Sequence, residues 1–262
     1  MISASFVTVG QYQVRYLEVG HSKKTIILLH GLGASAERWL PIIPYLSDDF
    51  RVIMPDIIGF GYSDKPIANY TPKFFMEFLS GFMKNTSIEK PILVGSSLGG
   101  RILLEYATHH PQNIEKMILV SPAVNEELSP ALQSYMQAAL HPTFEDVKNA
   151  FLTMNGGNGE IEDEFIDEFI NRMSLPNAKM AFLASLMGLK KQILKTEMLT
   201  DLEIPTLLIW GEDDQVIPIS NITKFRNSIK NIQYQIMEKC GHAPYAEKPE
   251  LFSKIVLDFL SN

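Results

Sequence analysis

One stretch, PILVGSSLGG at residues 91–100, limits the folds open to this chain more than any other. A short apolar run leads into the pattern Gly-x-Ser-x-Gly, and a helical pattern follows at once. A tight strand-to-helix turn lifts the central serine, Ser97, out of the sheet edge, and Gly95 and Gly99 remove side chains that would collide there. Free N–H groups and the positive end of the new helix then lie beside the hydroxyl. The stretch therefore predicts an exposed serine nucleophile, although the motif alone also fits a glycine-rich turn.

Strand and helix patterns alternate on both sides of this stretch. Continuous apolar runs fit strands that are covered on both faces, and alternating apolar and polar residues near the N-terminus fit an edge hairpin. The other predicted strands are residues 5–9, 13–19, 25–29, 51–54, 114–120, 204–210 and 232–237. Helices are expected after Ser35, at 72–84, directly after Ser97, at 219–229 and at 249–260. The alternation predicts an α/β fold with a mostly parallel eight-stranded sheet and helices on both faces.

The alternation stops between residues 123 and 200. Four helical patterns and no strand pattern occur there, at 128–140, 143–154, 161–173 and 178–189. We therefore expect a core made of residues 1–122 and 201–262, and a helical cap at 123–200 inserted after the sixth strand. The cap is rich in methionine, for example Met136 and Met180, and methionine suits both an adaptable pocket and core filling.

Composition excludes several classes of protein. The chain has 262 residues, enough for one α/β domain with an insertion. Its net charge of −7 disfavours nucleic acid and anionic membrane surfaces as partners. Cys240 is the only cysteine, and no group of histidines and carboxylates has metal-ligand spacing, so we expect no disulfide, metal or other cofactor. No signal-peptide pattern or bilayer-length apolar run occurs, so we expect a cytoplasmic protein without integral membrane association.

Two later segments supply the partners that a serine nucleophile needs. His242 follows the last predicted strand, and Asp213 and Asp214 follow the strand before it. An imidazole titrates near neutral pH, so it can take the serine proton and later deliver it to a leaving group. A carboxylate on the other ring nitrogen stabilises the charged imidazolium. The sequence thus predicts a Ser-His-Asp constellation.

These segments resemble the α/β-hydrolase family, in its branch of serine esterases and meta-cleavage product hydrolases. The resemblance covers nearly the whole chain outside the cap, and the matching pieces are HGLG at 30–33, PDIIGFGYSDKP at 55–66, GSSLGG at 95–100, WGEDDQVIP at 210–218 and CGHAPYAEKPE at 240–250. It implies Ser97 as the nucleophile and His242 as the base. The family spacing of Gly, two residues, Asp, three residues, Pro selects Asp214 as the acid over Asp213.

The resemblance also implies residues around the triad. Leu32 and Leu98 would supply the two backbone N–H groups of an oxyanion hole. We expect His30 mainly to shape the loop that carries Leu32. The residues that could contact a substrate are His30, Gly31, Ser96 and Arg172.

The function that the resemblance implies is a cofactor-independent serine hydrolase. The simplest form is a carboxylesterase that cleaves small to medium acyl esters through an acyl-enzyme on Ser97. One alternative is a carbon–carbon bond hydrolase of ring-cleavage dienoates, with Arg172 binding the substrate carboxylate; such relatives often have tryptophan where this chain has Ala243. Another alternative is a slow-turnover receptor for small ligands. Haloalkane dehalogenases and epoxide hydrolases are disfavoured because they carry aspartate at the elbow.

Overall fold

The computed structural model describes residues 1–123, 128–157, 159–192, 194 and 196–261. In these ranges eight strands form one sheet: β1 (Ser3–Val9), β2 (Tyr12–Val19), β3 (Thr25–Leu29), β4 (Arg51–Pro55), β5 (Ile92–Ser96), β6 (Met117–Val120), β7 (Thr206–Gly211) and β8 (Ile232–Met237). Their order is β1-β2-β4-β3-β5-β6-β7-β8. Strand β2 pairs antiparallel with both β1 and β4, and all the other neighbouring strands in the sheet pair parallel. The predicted mostly parallel eight-stranded α/β sheet is confirmed.

Ten α-helices in the described ranges connect the strands. They are α1 (Ile43–Leu46), α2 (Pro72–Asn85), α3 (Leu98–His109), α4 (Pro130–Leu140), α5 (Phe144–Met154), α6 (Asp163–Met173), α7 (Ala178–Lys191), α8 (Ile222–Arg226), α9 (Pro244–Glu247) and α10 (Pro249–Ser261). Short 3₁₀ helices lie at Ala36–Ile42, Pro111–Asn113, Thr196–Leu199 and Ile219–Asn221.

The central strands β5, β6 and β7 are buried along their whole length because both of their faces are covered. In β5, Leu93 belongs to the apolar core that contains α2, α3 and the helices after β6. Its neighbours Ile92 and Val94 belong to a second core that contains α1 and α10. This period of two is what a pleated strand between two helical layers requires, and it explains why continuous apolar runs predict these strands.

Two predicted helices differ from the structure. The segment after Ser35 forms a 3₁₀ helix with Pro41 inside it and then the short α1, and Ser35 makes no side-chain cap bond. Proline lacks the N–H that a longer α-helix would need at this point. The helix predicted at 219–229 is a 3₁₀ turn followed by the short α8, and it ends at Arg226.

Helices α4 to α7 all lie between β6 and β7. Their starts follow ordinary capping rules: the Ser129 hydroxyl accepts a hydrogen bond from the Leu132 N–H, and Thr143 does the same for Asp146. The division into a core and a cap at 123–200 stays a prediction. Residues 124–127, 158, 193 and 195 of that segment lie outside the described residues.

Candidate active site

Ser97 lies at the sharp turn between β5 and α3. Its backbone has φ 52° and ψ −112°, a conformation that a non-glycine residue keeps only where its surroundings enforce it. A side-chain atom on Gly99 would lie 2.2 Å from the Leu29 carbonyl oxygen, and one on Gly95 would lie 2.6 Å from the Gly99 carbonyl carbon. The two glycines therefore let the backbone of α3 reach β3 and β5, and this close contact holds Ser97 at the sheet edge.

His242 and Asp214 form a buried pair, and His242 lines the same cavity as Ser97. The imidazole Nδ1 lies 2.8 Å from Asp214 Oδ2, and Asp214 Oδ1 accepts hydrogen bonds from the backbone N–H groups of Val216 and Ile217, each at 2.9 Å. Because an ionised carboxylate only accepts, Nδ1 carries the proton and Nε2 keeps its lone pair. The structure places Asp214 against the ring. Asp213 is instead half-buried, and its N–H donates to the Cys240 carbonyl in the loop after β8.

The two predicted oxyanion donors line the same cavity as Ser97. Leu98 is the first residue of α3, so its N–H has no acceptor within the helix. Leu32 lies in the loop after β3, and a side-chain atom on the adjacent Gly31 would lie 3.4 Å from Ser97 Cβ. The Tyr135 hydroxyl, on α4, donates a 2.7 Å hydrogen bond to the Leu32 carbonyl oxygen. This bond attaches the loop after β3 to α4.

His30 is enclosed behind this loop and is not among the residues that line the cavity. The Ile57 N–H donates to His30 Nε2 at 3.0 Å, so Nδ1 carries the proton and donates to the Gly31 carbonyl at 2.7 Å. Burial lowers the pKa of His30 below 6.5, which keeps the ring neutral. His30 thus lies outside the cavity lining. Its ring instead joins the loop after β3 to the loop after β4.

The loop that carries His242 is held on both sides. The Glu247 carboxylate accepts hydrogen bonds from the N–H groups of Gly241 at 2.8 Å and Ala243 at 3.1 Å. The His242 N–H donates to the carbonyl of Met154 at the end of α5, at 2.8 Å. Burial raises the pKa of Glu247, while the two N–H donors favour its charged form. These contacts fix the ring position from the residues on either side.

The cavity in front of Ser97 has a volume of about 460 Å³. Its lining is mostly apolar, and 13 of the 28 described lining residues lie on α4 to α7. Met136, Met154 and Met187 line it, whereas Met180 lies outside it and is 36% exposed. The methionine-rich segment therefore supplies both cavity lining and outer surface.

Arg172 is the predicted contact residue with the most unusual surroundings. It lies on α6, it lines the cavity together with Gly31 and Ser96, and only 3% of its side chain is exposed. Its Nη1 donates to Glu168 Oε2 at 3.3 Å, and its buried Nε has no hydrogen-bond partner among the described residues. A buried guanidinium with an unused donor is a binding group for an anionic oxygen.

Two other kinds of site have no candidate among the described residues. Among the described residues, no three or more histidines, cysteines and carboxylates are arranged to hold a metal ion. Within the same residues, no helix combines the length and the apolar character that crossing a membrane requires.

The mostly parallel sheet agrees with comparison to known proteins. The model of the alpha/beta hydrolase fold family matches residues 24–249. The chain belongs to this family. This α/β hydrolase is an enzyme of the serine-hydrolase type.

Relatives of this α/β hydrolase include both carbon–carbon and ester hydrolases. It is 30% identical to the 2-hydroxy-6-oxo-6-(2'-aminophenyl)hexa-2,4-dienoic acid hydrolase of Metapseudomonas resinovorans, over 98% of this chain and 90% of that protein. A solved meta-cleavage product hydrolase from Pseudomonas fluorescens IP01 is 25% identical, with a TM-score of 0.90 over 98% of this chain and 97% of that one. A solved bacterial membrane phospholipase A is 27% identical, with a TM-score of 0.88 over 99% of this chain and 86% of that one.

Sequence reasoning missed the contacts that hold the site together. Tyr135 and the Met154 carbonyl come from helices far along the chain from the loops that they bind. A buried tyrosine in a helix gives no sequence signal for its partner, and a backbone carbonyl gives none at all. Glu247, by contrast, lies close to His242 in the sequence, and this closeness is the one sequence signal for its contact with the His242 loop.

We predict that His30 makes stability depend on pH. The pKa of its ring is lowered on folding, so its contribution is complete above about pH 6.5 and is lost as the pH falls below that value. The loss is at most about 1.4 kcal/mol per pH unit. The free energy of unfolding, measured with urea, should differ between wild type and His30→Asn, and this difference should shrink as the pH falls from about 7.5 to about 5.5.

His21→Asn provides the control, because it makes the same substitution at an exposed position. A difference between wild type and His30→Asn that stays constant over the range would contradict the account of His30.

Proposed function

We propose that the protein is a cofactor-independent carboxylic ester hydrolase that forms an acyl-enzyme on Ser97. One observation carries the proposal: Ser97, His242, Leu32 and Leu98 line one largely apolar cavity, and Asp214 is hydrogen-bonded to His242. Such a cavity accommodates an acyl chain and excludes water, and the polar groups act only at the ester carbonyl. The solved phospholipase A that is 27% identical to this chain is an ester hydrolase and supports the same class of reaction.

The proposed reaction uses each group in a defined step. The Ser97 oxygen attacks the ester carbonyl carbon while His242 Nε2 takes the hydroxyl proton. The N–H groups of Leu32 and Leu98 bind the oxyanion of the tetrahedral intermediate, and loss of one such donor typically costs about 3–4 kcal/mol. The intermediate collapses as His242 gives its proton to the departing alkoxide. Water, deprotonated by His242, then attacks the acyl-enzyme and releases the acid and Ser97.

Asp214 completes the proposed triad. It holds His242 in the tautomer whose Nε2 faces the serine and stabilises the imidazolium that forms in both half-reactions. Its second oxygen is satisfied by the Val216 and Ile217 N–H groups, so the carboxylate is held in place independently of the histidine.

A second candidate function is hydrolysis of a carbon–carbon bond beside a ketone in a ring-cleavage dienoate. The observation that favours it is the buried Arg172 Nε, which faces no hydrogen-bond partner among the described residues and could bind the dienoate carboxylate. The 30% identical relative carries the name of such a hydrolase. Ser97 would attack the ketone carbon while His242 takes the hydroxyl proton, and the carbon–carbon bond would then break as His242 gives that proton to the departing carbon. Water deprotonated by His242 would release the acid from Ser97. Ala243, in place of the tryptophan frequent in those relatives, favours the ester reading.

Turnover on a matched set of substrates tests the choice. We predict that kcat/KM for short p-nitrophenyl esters exceeds kcat/KM for a dienoate, and that Ser97→Ala abolishes both. Arg172→Gln should reduce dienoate turnover more than ester turnover, since a bond to a charged group contributes about 1.5–3 kcal/mol, which is about tenfold to a hundredfold in rate.

Each other result has a definite meaning. Faster turnover of the dienoate would replace the ester proposal by the second candidate. Rates near background for both substrate classes, together with tight binding of a small ligand, would make the protein a receptor rather than an efficient enzyme.

The choice of acid gives a separate prediction. Asp214→Asn should lower kcat on esters by about 10⁴-fold, because an amide in this position favours the wrong histidine tautomer. Asp213→Asn is the matched control, since it makes the same chemical change one residue away, and should stay close to wild type. Equal losses in the two variants, measured with the same ester, would show that the Asp214–His242 contact is not the catalytic one.

A further inference from the structure

The outward face of α7 has an unusual composition. Six of its residues are exposed, and three of these are apolar and three are basic: Lys179, Met180, Leu183, Met187, Lys190 and Lys191. Because residues three, four and seven apart share one side of a helix, the three apolar side chains form a stripe, with lysines beside it. Met187 is 63% exposed and Leu183 is 37% exposed. The helix contains no acidic residue.

This face is fixed in its outward orientation. Phe182 and Ser185 on the opposite side of α7 are fully buried. Gly188 lets the helix lie directly on the loop before α2, since a side-chain atom there would be 2.1 Å from the Tyr70 carbonyl oxygen. The helix therefore cannot rotate to hide its apolar stripe without losing its packing.

The same face is the opening of the catalytic cavity. Among the described residues that line the cavity, the exposed ones are Leu183, Met187 and Lys190, all on α7. A substrate that enters from outside thus passes an apolar rim beside a cationic group. Water-soluble substrates do not need such a rim, whereas an amphiphile can keep its apolar part covered from the outside surface to Ser97.

The charge distribution indicates which kind of surface this face of α7 can bind. The whole chain has a net charge of −7, so most of its surface is repelled by an anionic bilayer. The face of α7 carries three positive charges and no negative one, so this face can attract an anionic bilayer although the whole chain is acidic. Basic residues beside an apolar stripe are the features of helices that lie in the interface of an anionic membrane.

We propose that α7 docks on an anionic lipid bilayer and that substrates reach Ser97 from the bilayer between Leu183, Met187 and Lys190. Docking lets Met180, Leu183 and Met187 enter the headgroup region, while the lysines bind lipid phosphates and carboxylates. The docking does not depend on the proposed ester hydrolysis, but the delivery of a lipid ester to Ser97 rests on it.

Vesicle flotation tests the docking. Wild type should float with vesicles of phosphatidylcholine plus phosphatidylserine and much less with phosphatidylcholine alone, and added salt should release it. Lys179→Gln/Lys191→Gln and, separately, Met180→Gln should weaken binding, the double variant by about thirtyfold. These three residues do not line the cavity, so turnover of a soluble short ester should remain at the wild-type level.

A matched control removes the same charge elsewhere. Lys23→Gln/Lys24→Gln changes two exposed lysines before β3 and should leave vesicle binding unchanged. Absence of wild-type binding to anionic vesicles, or equal losses in the α7 and control variants, would overturn the proposal. So would a solution dimer that Met180→Gln dissociates while no vesicle binding occurs, because a second copy would then cover α7.

The outcome also separates docking from chemistry. Vesicle binding with hydrolysis of a lipid ester in those vesicles supports both steps. Vesicle binding by a protein that hydrolyses no ester, soluble or lipid, supports the docking and overturns both the delivery of lipid esters and the proposed ester hydrolysis.

Discussion

The close contact between α3 and the strands beneath it is the constraint on which the site depends. Without side chains at Gly95 and Gly99, the helix backbone meets β3 and β5 almost directly, and the chain must turn sharply at Ser97. The positive φ of Ser97 is unfavourable by itself, and the packing around it maintains it. That turn places the hydroxyl and the first N–H of α3 on the same side of the sheet, where the loops after β3, β7 and β8 also end.

The helices after β6 do more than cover this edge, because they bind each of the loops that carry catalytic candidates. The Ser129 hydroxyl donates to the Val216 carbonyl in the loop of Asp214, at 2.9 Å. Tyr135 holds the Leu32 loop, and the Met154 carbonyl holds the His242 backbone. The segment that lines the cavity thus also holds the Leu32 loop and the His242 backbone in place, so we expect changes there to affect both rate and substrate preference.

The features that the sequence predicts well are those set by neighbouring residues. The strand, turn and helix around Ser97 follow from local pattern, and β3 and β8 have the predicted limits because apolar runs end at turn-forming residues. The segment around Pro41 forms a 3₁₀ helix where apolar spacing predicts an α-helix, because this spacing does not reflect the missing N–H of proline. Met136 and Met180 look equivalent in sequence, and only the rotation of each helix against its neighbours puts one in the cavity and the other outside.

The central claim is that Ser97 takes up the acyl group of an ester, and its most direct test is the mass of the trapped intermediate. Wild-type protein mixed with a p-nitrophenyl ester and quenched in acid within the first turnovers should gain the mass of one acyl group, on the peptide that contains Ser97. The Ser97→Ala protein should gain none. An acyl group on another residue of the wild-type protein, or the same adduct in the Ser97→Ala variant, would contradict the account.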